Sequence, residues 1–113
     1  MHSERTLGLL EDIRLNIGHA ERFVADLTPE QLEFDTLRLY ATIRSLEIIS
    51  EASRGLPDDL KARHHEIPWR DMAGAGNIYR HNYDNVAARR LWDTVHSALP
   101  PLRSVVEKEL GQS

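Results

Sequence analysis

The stretch that decides the reading is IPWRDMAGAGNIYRHNYDNV, Ile67 to Val86. It holds Trp69, Tyr79 and Tyr83, three of the chain's five Trp and Tyr residues, together with Gly74 and Gly76. Arg80, His81 and Tyr83 fall within four positions of one another. Pro68 suits the first position of a helix, where a missing N–H does no harm, and Trp69 can anchor the first turn. Met72, Ala73 and Ile78 supply that helix with apolar groups. Two glycines so close together weaken a helix by about 2 kcal/mol relative to alanine. They therefore call for a close helix crossing, a kink or room for a ligand, and spacing does not choose among the three. On both sides of this stretch apolar residues recur at steps of three and four, and no segment alternates with period two for long enough to make a strand. An all-α bundle of four or five helices is predicted.

Upstream, Leu7, Leu10, Ile13, Ile17, Ala20 and Val24 draw one stripe down a helix from about Thr6 to Leu27. Thr28-Pro29-Glu30-Gln31 has the form of a capping box opening a short helical turn. Asp35 is a suitable cap for a helix over Thr36–Arg54, with Leu39, Ile43, Leu46, Ile49 and Ala52 inward. Arg44, Glu47 and Glu51 share a face that reads as a salt-bridged, solvated surface or as support for a partner. Gly55 is expected to be left-handed just past the helix end, and Pro57 to stop it. Pro57-Asp58-Asp59 should start a short helix reaching Arg63 and His64.

Downstream, Asp84 or Asn85 can cap a last long helix through Leu91, Trp92, Val95 and Leu99. Pro100 and Pro101 should bend or restart it, after which Leu102, Val105, Val106 and Leu110 continue the stripe. Trp69 and Trp92 read as core or interface anchors. No repeat or linker divides residues 1–113, so one helical domain is expected.

Composition narrows the class. The 113 residues are 41% hydrophobic and 28% charged, ordinary values for a globular chain. No apolar window approaches the roughly 18 residues that would suggest a membrane span. With no cysteine, disulfides and thiolate metal sites are excluded. The N-terminus lacks the charged-then-apolar pattern of a secretory leader, so the cytoplasm is the expected compartment. A net charge of −4 argues against a generic nucleic-acid coat. Yet Lys61, Arg63, Arg70, Arg80, Arg89 and Arg90, with His64, His65 and His81, concentrate basic groups that could hold a phosphate. His64-His65 has no second histidine at i+4, so no metal site is assigned. Gly74 and Gly76 are not followed by the lysine of a phosphate-cradling loop, no serine has a histidine–carboxylate arrangement, and no cofactor is called for.

The chemistry lies in Arg80-His81-x-Tyr83. An imidazole can move protons at a phosphodiester near neutral pH, and a guanidinium can hold its oxygens and stabilise added charge. RNA brings its own nucleophile, the 2′-hydroxyl, so a metal-free ribonuclease needs little more. Asn77, one helical turn before His81, and Asp84 are placed to orient the histidine. The bland alternatives are a surface or cap histidine and a half-buried tyrosine at a helix junction.

Three blocks, Arg44-Ser-Leu-Glu-Ile-Ile-Ser-Glu-Ala52, Ile67-Pro-Trp-Arg-Asp71 and Gly76-Asn-Ile-Tyr-Arg-His-Asn-Tyr83, resemble in order and spacing the HepT-like members of the HEPN superfamily. The resemblance covers nearly the whole chain. It implies a helical bundle that pairs as a homodimer and acts as an RNA-cleaving toxin, partnered by a minimal nucleotidyltransferase antitoxin. The family's motif is arginine, four residues, histidine, one residue, tyrosine. His81 and Tyr83 match its last two positions, whereas Gly76 stands where its arginine would fall. Arg80, adjacent to His81 but turned about 100° from it on a helix, is the substitute phosphate binder. The resemblance also implies that the nucleotidyltransferase adds AMP to Tyr83 and so silences the toxin by bulk and negative charge. Two readings follow. One is a metal-independent endoribonuclease with His81 as acid/base, Arg80 on the phosphate and Tyr83 in a dimer groove, supported by Asn77 and Asp84. The other is a catalytically silent HEPN module that binds its nucleotidyltransferase partner, nucleotide or RNA, and Gly76 favours it.

Overall fold

A computed structural model describes residues 2–78 and 85–111, the side chains of 77, 78, 85 and 86 excepted. The described residues form α1 (Glu4–Val24), α2 (Pro29–Phe34), α3 (Thr36–Arg54), α4 (Asp58–Arg63), α5 (Trp69–Ile78), α6 (Asn85–Asp93), a π turn (Thr94–Ala98) and α7 (Leu99–Gly111), with no strand among them. This is the expected all-α bundle. Four longer rods are α1, α3, α5 and the unbroken run of α6, π turn and α7; α2 and α4 are short helices of six residues.

Local chemistry explains most of the boundaries. α1 starts before the expected Thr6 because the Ser3 hydroxyl accepts from the Thr6 N–H at 3.1 Å. The capping box is present in full: the Gln31 Oε1 accepts from the Thr28 N–H at 2.9 Å, and the Thr28 hydroxyl accepts from the Gln31 N–H at 3.1 Å. Asp35 caps α3 by accepting from the Arg38 N–H at 3.1 Å. Gly55 differs from expectation. Its φ of −85° and ψ of −7° are right-handed, so its need is for space. A Cβ there would stand 3.0 Å from Leu9 Cδ1 and 3.1 Å from the Arg5 guanidinium, where α1 crosses the end of α3.

Pro100 and Pro101 lie at the start of α7, which follows the π turn directly. The π turn before them widens the helix: the Leu99 N–H reaches back five residues to the Thr94 carbonyl. The extra room lets the axis run on without the ring clash proline causes in a regular helix.

The core runs through all four rods. Leu10, Ile13 and Ile17 of α1 meet Leu46 and Ile49 of α3, Leu91 of α6, and Leu99, Leu102 and Val106 of α7, all essentially inaccessible to solvent. Both tryptophans are half-buried ties at the edge of this core. The Trp69 indole N–H donates to the carbonyls of Lys61 (3.1 Å) and His64 (3.0 Å), and that of Trp92 to the Leu27 carbonyl at 2.8 Å. They fasten α5 to the end of α4 and α6 to the end of α1.

Candidate functional site

α5 carries the chain toward the cluster singled out in the sequence, and its seat is the antiparallel face of α3. The Arg54 guanidinium donates to the Ala73 carbonyl at 2.5 Å, and the Gly76 N–H donates to the Ser50 hydroxyl at 2.9 Å. A Cβ on Gly76 would lie 2.9 Å from the Glu47 Cα and 3.3 Å from the Ser50 hydroxyl oxygen. The nearest atom belongs to the facing backbone, which cannot swing aside as a side chain can. A Cβ on Gly74 would meet nothing within 4 Å. Of the three reasons the paired glycines left open, a close helix crossing is therefore the one that holds, and it holds for Gly76 alone. The buried position 76 is also where the family motif would have its arginine.

Arg80, His81, Tyr83 and Asp84 lie outside the described residues, and Asn77 is described as backbone only, in the last turn of α5. Arg70, the other cation considered near the site, is exposed in the first turn of α5. The basic stretch of the sequence is partly neutralised in three dimensions. Arg63 pairs with Glu109 (2.9 Å) and Asp59 (3.5 Å), and Arg89 with Glu30 at 3.1 Å. On α3, Arg44 pairs with Glu47 at 3.6 Å, the salt-bridged face expected from spacing. A surface depression of about 640 Å³ lies beside α2, lined by Leu27, Glu30, Gln31, Phe34, Asp35 and Thr36. Its charged groups are carboxylates, which suits it poorly to a phosphate backbone.

His64 has a role that spacing did not reveal. Glu109, 1% exposed, receives His64 Nε2 at 2.5 Å on one oxygen and both His2 Nε2 (2.8 Å) and Arg63 (2.9 Å) on the other. Burial alone would raise the Glu109 carboxyl; the hydrogen bonds from Arg63, His64 and His2 outweigh it and hold the group at about 2. This network ties the N-terminus and α4 to α7. A signal was present: Glu109 continues the inward series Leu102, Val105 and Val106, and a carboxylate on an apolar stripe needs partners.

An all-α bundle whose sequence carries an Arg-His-x-Tyr pattern is consistent with the HEPN class. Its family follows from the whole chain: the family model described as Ribonuclease HepT-like matches residues 13–109, and the protein belongs to that family. It is 42% identical over 99 residues to a probable ribonuclease HepT of Thermococcus cleftensis, covering 88% of this chain and 90% of that one. It is 33% identical over 98 residues to a candidate RNase of Methanocaldococcus jannaschii, covering 87% and 90%. A candidate RNase of Caldanaerobacter subterraneus subsp. tengcongensis is also 33% identical, over 77% of this chain and 78% of its own length. No solved structure matches the chain. Among the described residues no helix is long and apolar enough to cross a membrane.

Proposed function

We propose that the protein is a single-domain, metal-independent endoribonuclease, the toxin of a toxin–antitoxin pair acting in the cytoplasm. The observation that carries this reading is the match to the HepT-like ribonuclease family across residues 13–109, a span that includes the intact His81-x-Tyr83. In the reaction the RNA 2′-oxygen bonds to the adjacent phosphorus while the bond from phosphorus to the 5′-oxygen breaks. His81 takes the 2′-hydroxyl proton or delivers one to the departing 5′-oxygen, and Arg80 offsets the phosphorane charge. Asn77 and Asp84 orient the imidazole, and Tyr83 lines the groove. The products are a 2′,3′-cyclic phosphate and a 5′-hydroxyl.

The working form is a homodimer. Phe34 at the end of α2, 81% exposed, and Leu37 and Tyr40 one turn apart on α3, 80% and 56% exposed, leave apolar surface that a second copy would cover. Cleavage of single-stranded RNA in the presence of EDTA, absent for an oligonucleotide lacking 2′-hydroxyls, tests the reaction. His81→Ala should lower the rate by about a hundredfold or more, the usual worth of a positioned acid or base. It should leave the helical content and a light-scattering mass of twice 13.0 kDa unchanged. Undiminished cleavage by that variant removes the role assigned to His81.

Control would come from a minimal nucleotidyltransferase that transfers AMP to Tyr83. After incubation with that enzyme and ATP, mass spectrometry should find one AMP on the peptide holding Tyr83. AMP on Tyr79 or Tyr40 instead would refute the assignment. The second reading, a catalytically silent module that binds the nucleotidyltransferase, nucleotide or RNA, draws on Gly76. What supports it is the tight seat of Gly76 against α3, at the position where the motif arginine would fall.

A further inference from the structure

We infer that the depression between the end of α4 and α7 is a subsite for a nucleotide whose base carries an exocyclic amine; the choice of a nucleotide rests on the ribonuclease reading. The depression measures about 280 Å³ and is lined by His64, Glu66, Pro101, Ser104, Val105 and Lys108. His64 is only 6% exposed, and its Nε2 is engaged by Glu109 at 2.5 Å. A carboxylate accepts and does not donate, so Nε2 carries the ring proton, and in the neutral imidazole Nδ1 is left as an acceptor. Nδ1 has the Glu66 carboxylate at 3.9 Å, beyond hydrogen-bond reach. Among the described residues no buried side-chain nitrogen or oxygen lacks a partner, so the unbonded Nδ1 is where this nearly enclosed ring meets solvent. Glu66, beside it, stands on the wall of the same depression.

The hydrogen-bonding character of the walls selects the ligand. His64 Nδ1 and the Glu66 carboxylate are two acceptors side by side. The Ser104 hydroxyl donates to the Pro100 carbonyl at 3.3 Å and keeps its lone pairs as a third. An NH2 group offers two donors and can bridge His64 and Glu66, whose side chain is 59% exposed and able to close the remaining distance. The other oxygen of Glu66 has His65 at 4.0 Å. The cation of the wall is the exposed Lys108, while Arg63 at the end of α4 is committed to Glu109 and Asp59. One ammonium against one carboxylate gives a bare anion little to gain. A fitting ligand carries donors at one end and negative charge at the other. Pro101 and Val105 add an apolar strip for a flat body between them. A nucleotide with an amino-substituted base meets these demands: amine on His64 and Glu66, ring on the apolar strip, phosphate on Lys108.

Titration calorimetry of the full chain with AMP tests this, against inosine monophosphate, which has a carbonyl in place of the amine. AMP should bind, and inosine monophosphate about tenfold more weakly. Glu66→Gln should weaken AMP about tenfold and erase most of that preference, whereas Lys108→Gln should weaken both ligands about threefold and keep it. Glu107→Gln, the same change in charge one residue away on α7, should bind as the unmodified protein does. His64→Gln would break the Glu109 contact and threaten the fold, so the exposed Glu66 and Lys108 carry the test. A 2′-O-methylated oligoadenylate, read by fluorescence anisotropy, separates the two sources of the base. Binding weakened by the same two variants assigns the site to RNA, and binding of AMP alone assigns it to a free nucleotide. Equal affinity for AMP and inosine monophosphate, unchanged binding in Glu66→Gln, or binding of a free amino acid in place of AMP overturns the inference. If the protein cuts RNA and binds neither AMP nor oligoadenylate here, this inference falls alone. If AMP binds as stated to a protein that does not cut RNA, the site stands and the ribonuclease reading falls.

Discussion

Gly76→Arg should destroy the fold rather than restore a catalytic arginine. The side chain would start 2.9 Å from the Glu47 Cα and drive a guanidinium into a buried crossing. Overpacking of this kind costs about 1–3 kcal/mol, and an uncompensated buried charge about 3–5 more. Against a total stability of about 5–15 kcal/mol, the variant should melt far below the parent or express as unfolded chain. The neighbouring position supplies the control. Gly76→Ala should lose about 1–3 kcal/mol, whereas Gly74→Ala, with open space around its Cβ, should gain up to about 1 kcal/mol from helix propensity. Thermal unfolding by circular dichroism reads all three. A Gly76→Arg protein that melts with the parent would mean that α3 and α5 can part at no cost, and the motif arginine would become available to the chemistry after all. On the proposed ribonuclease reading, the guanidinium would then come from Arg80 or another chain.

Glu109→Gln should be the second most damaging change, at about 3 kcal/mol near pH 7 and ~10 °C in melting temperature. The number follows from linkage. The carboxyl is lowered from 4.5 to about 2 in the folded protein, so its contribution is complete above the unfolded value and is lost as pH falls through the folded one. At pH 3 the difference between parent and variant should shrink to about 1.5 kcal/mol. Urea unfolding of both proteins between pH 7 and pH 3 measures it. A gap that stays constant over that range would show that the carboxylate's charge is not what the His2, Arg63 and His64 contacts stabilise.

The helices were legible because their signals are local. The Thr28–Gln31 capping box and the Asp35 cap depend on residues three positions apart, and the stripes of α1 and α3 repeat within one helix. The Arg80-His81-x-Tyr83 cluster is likewise a short local pattern of reactive groups, and it lies outside the described residues. Gly55 shows the limit of such rules. A glycine after a helix suggests a left-handed cap, but here the backbone is right-handed, and Arg5 and Leu9, from a helix some fifty residues earlier in the chain, crowd the place a Cβ would take.

What the amino-acid order determined by itself is therefore the set of helices, their inward faces and the membership of a ribonuclease family. The helices and their faces are written in spacing that the backbone repeats every few residues, and the family in three short blocks of residues, 44–52, 67–71 and 76–83. Only the tertiary structure decided that Gly76 is a crossing point while Gly74 is not. It alone brought Glu109 to His64. Those are meetings of side chains and backbone far apart in the chain, set by how rigid helices pack, and no local period encodes them.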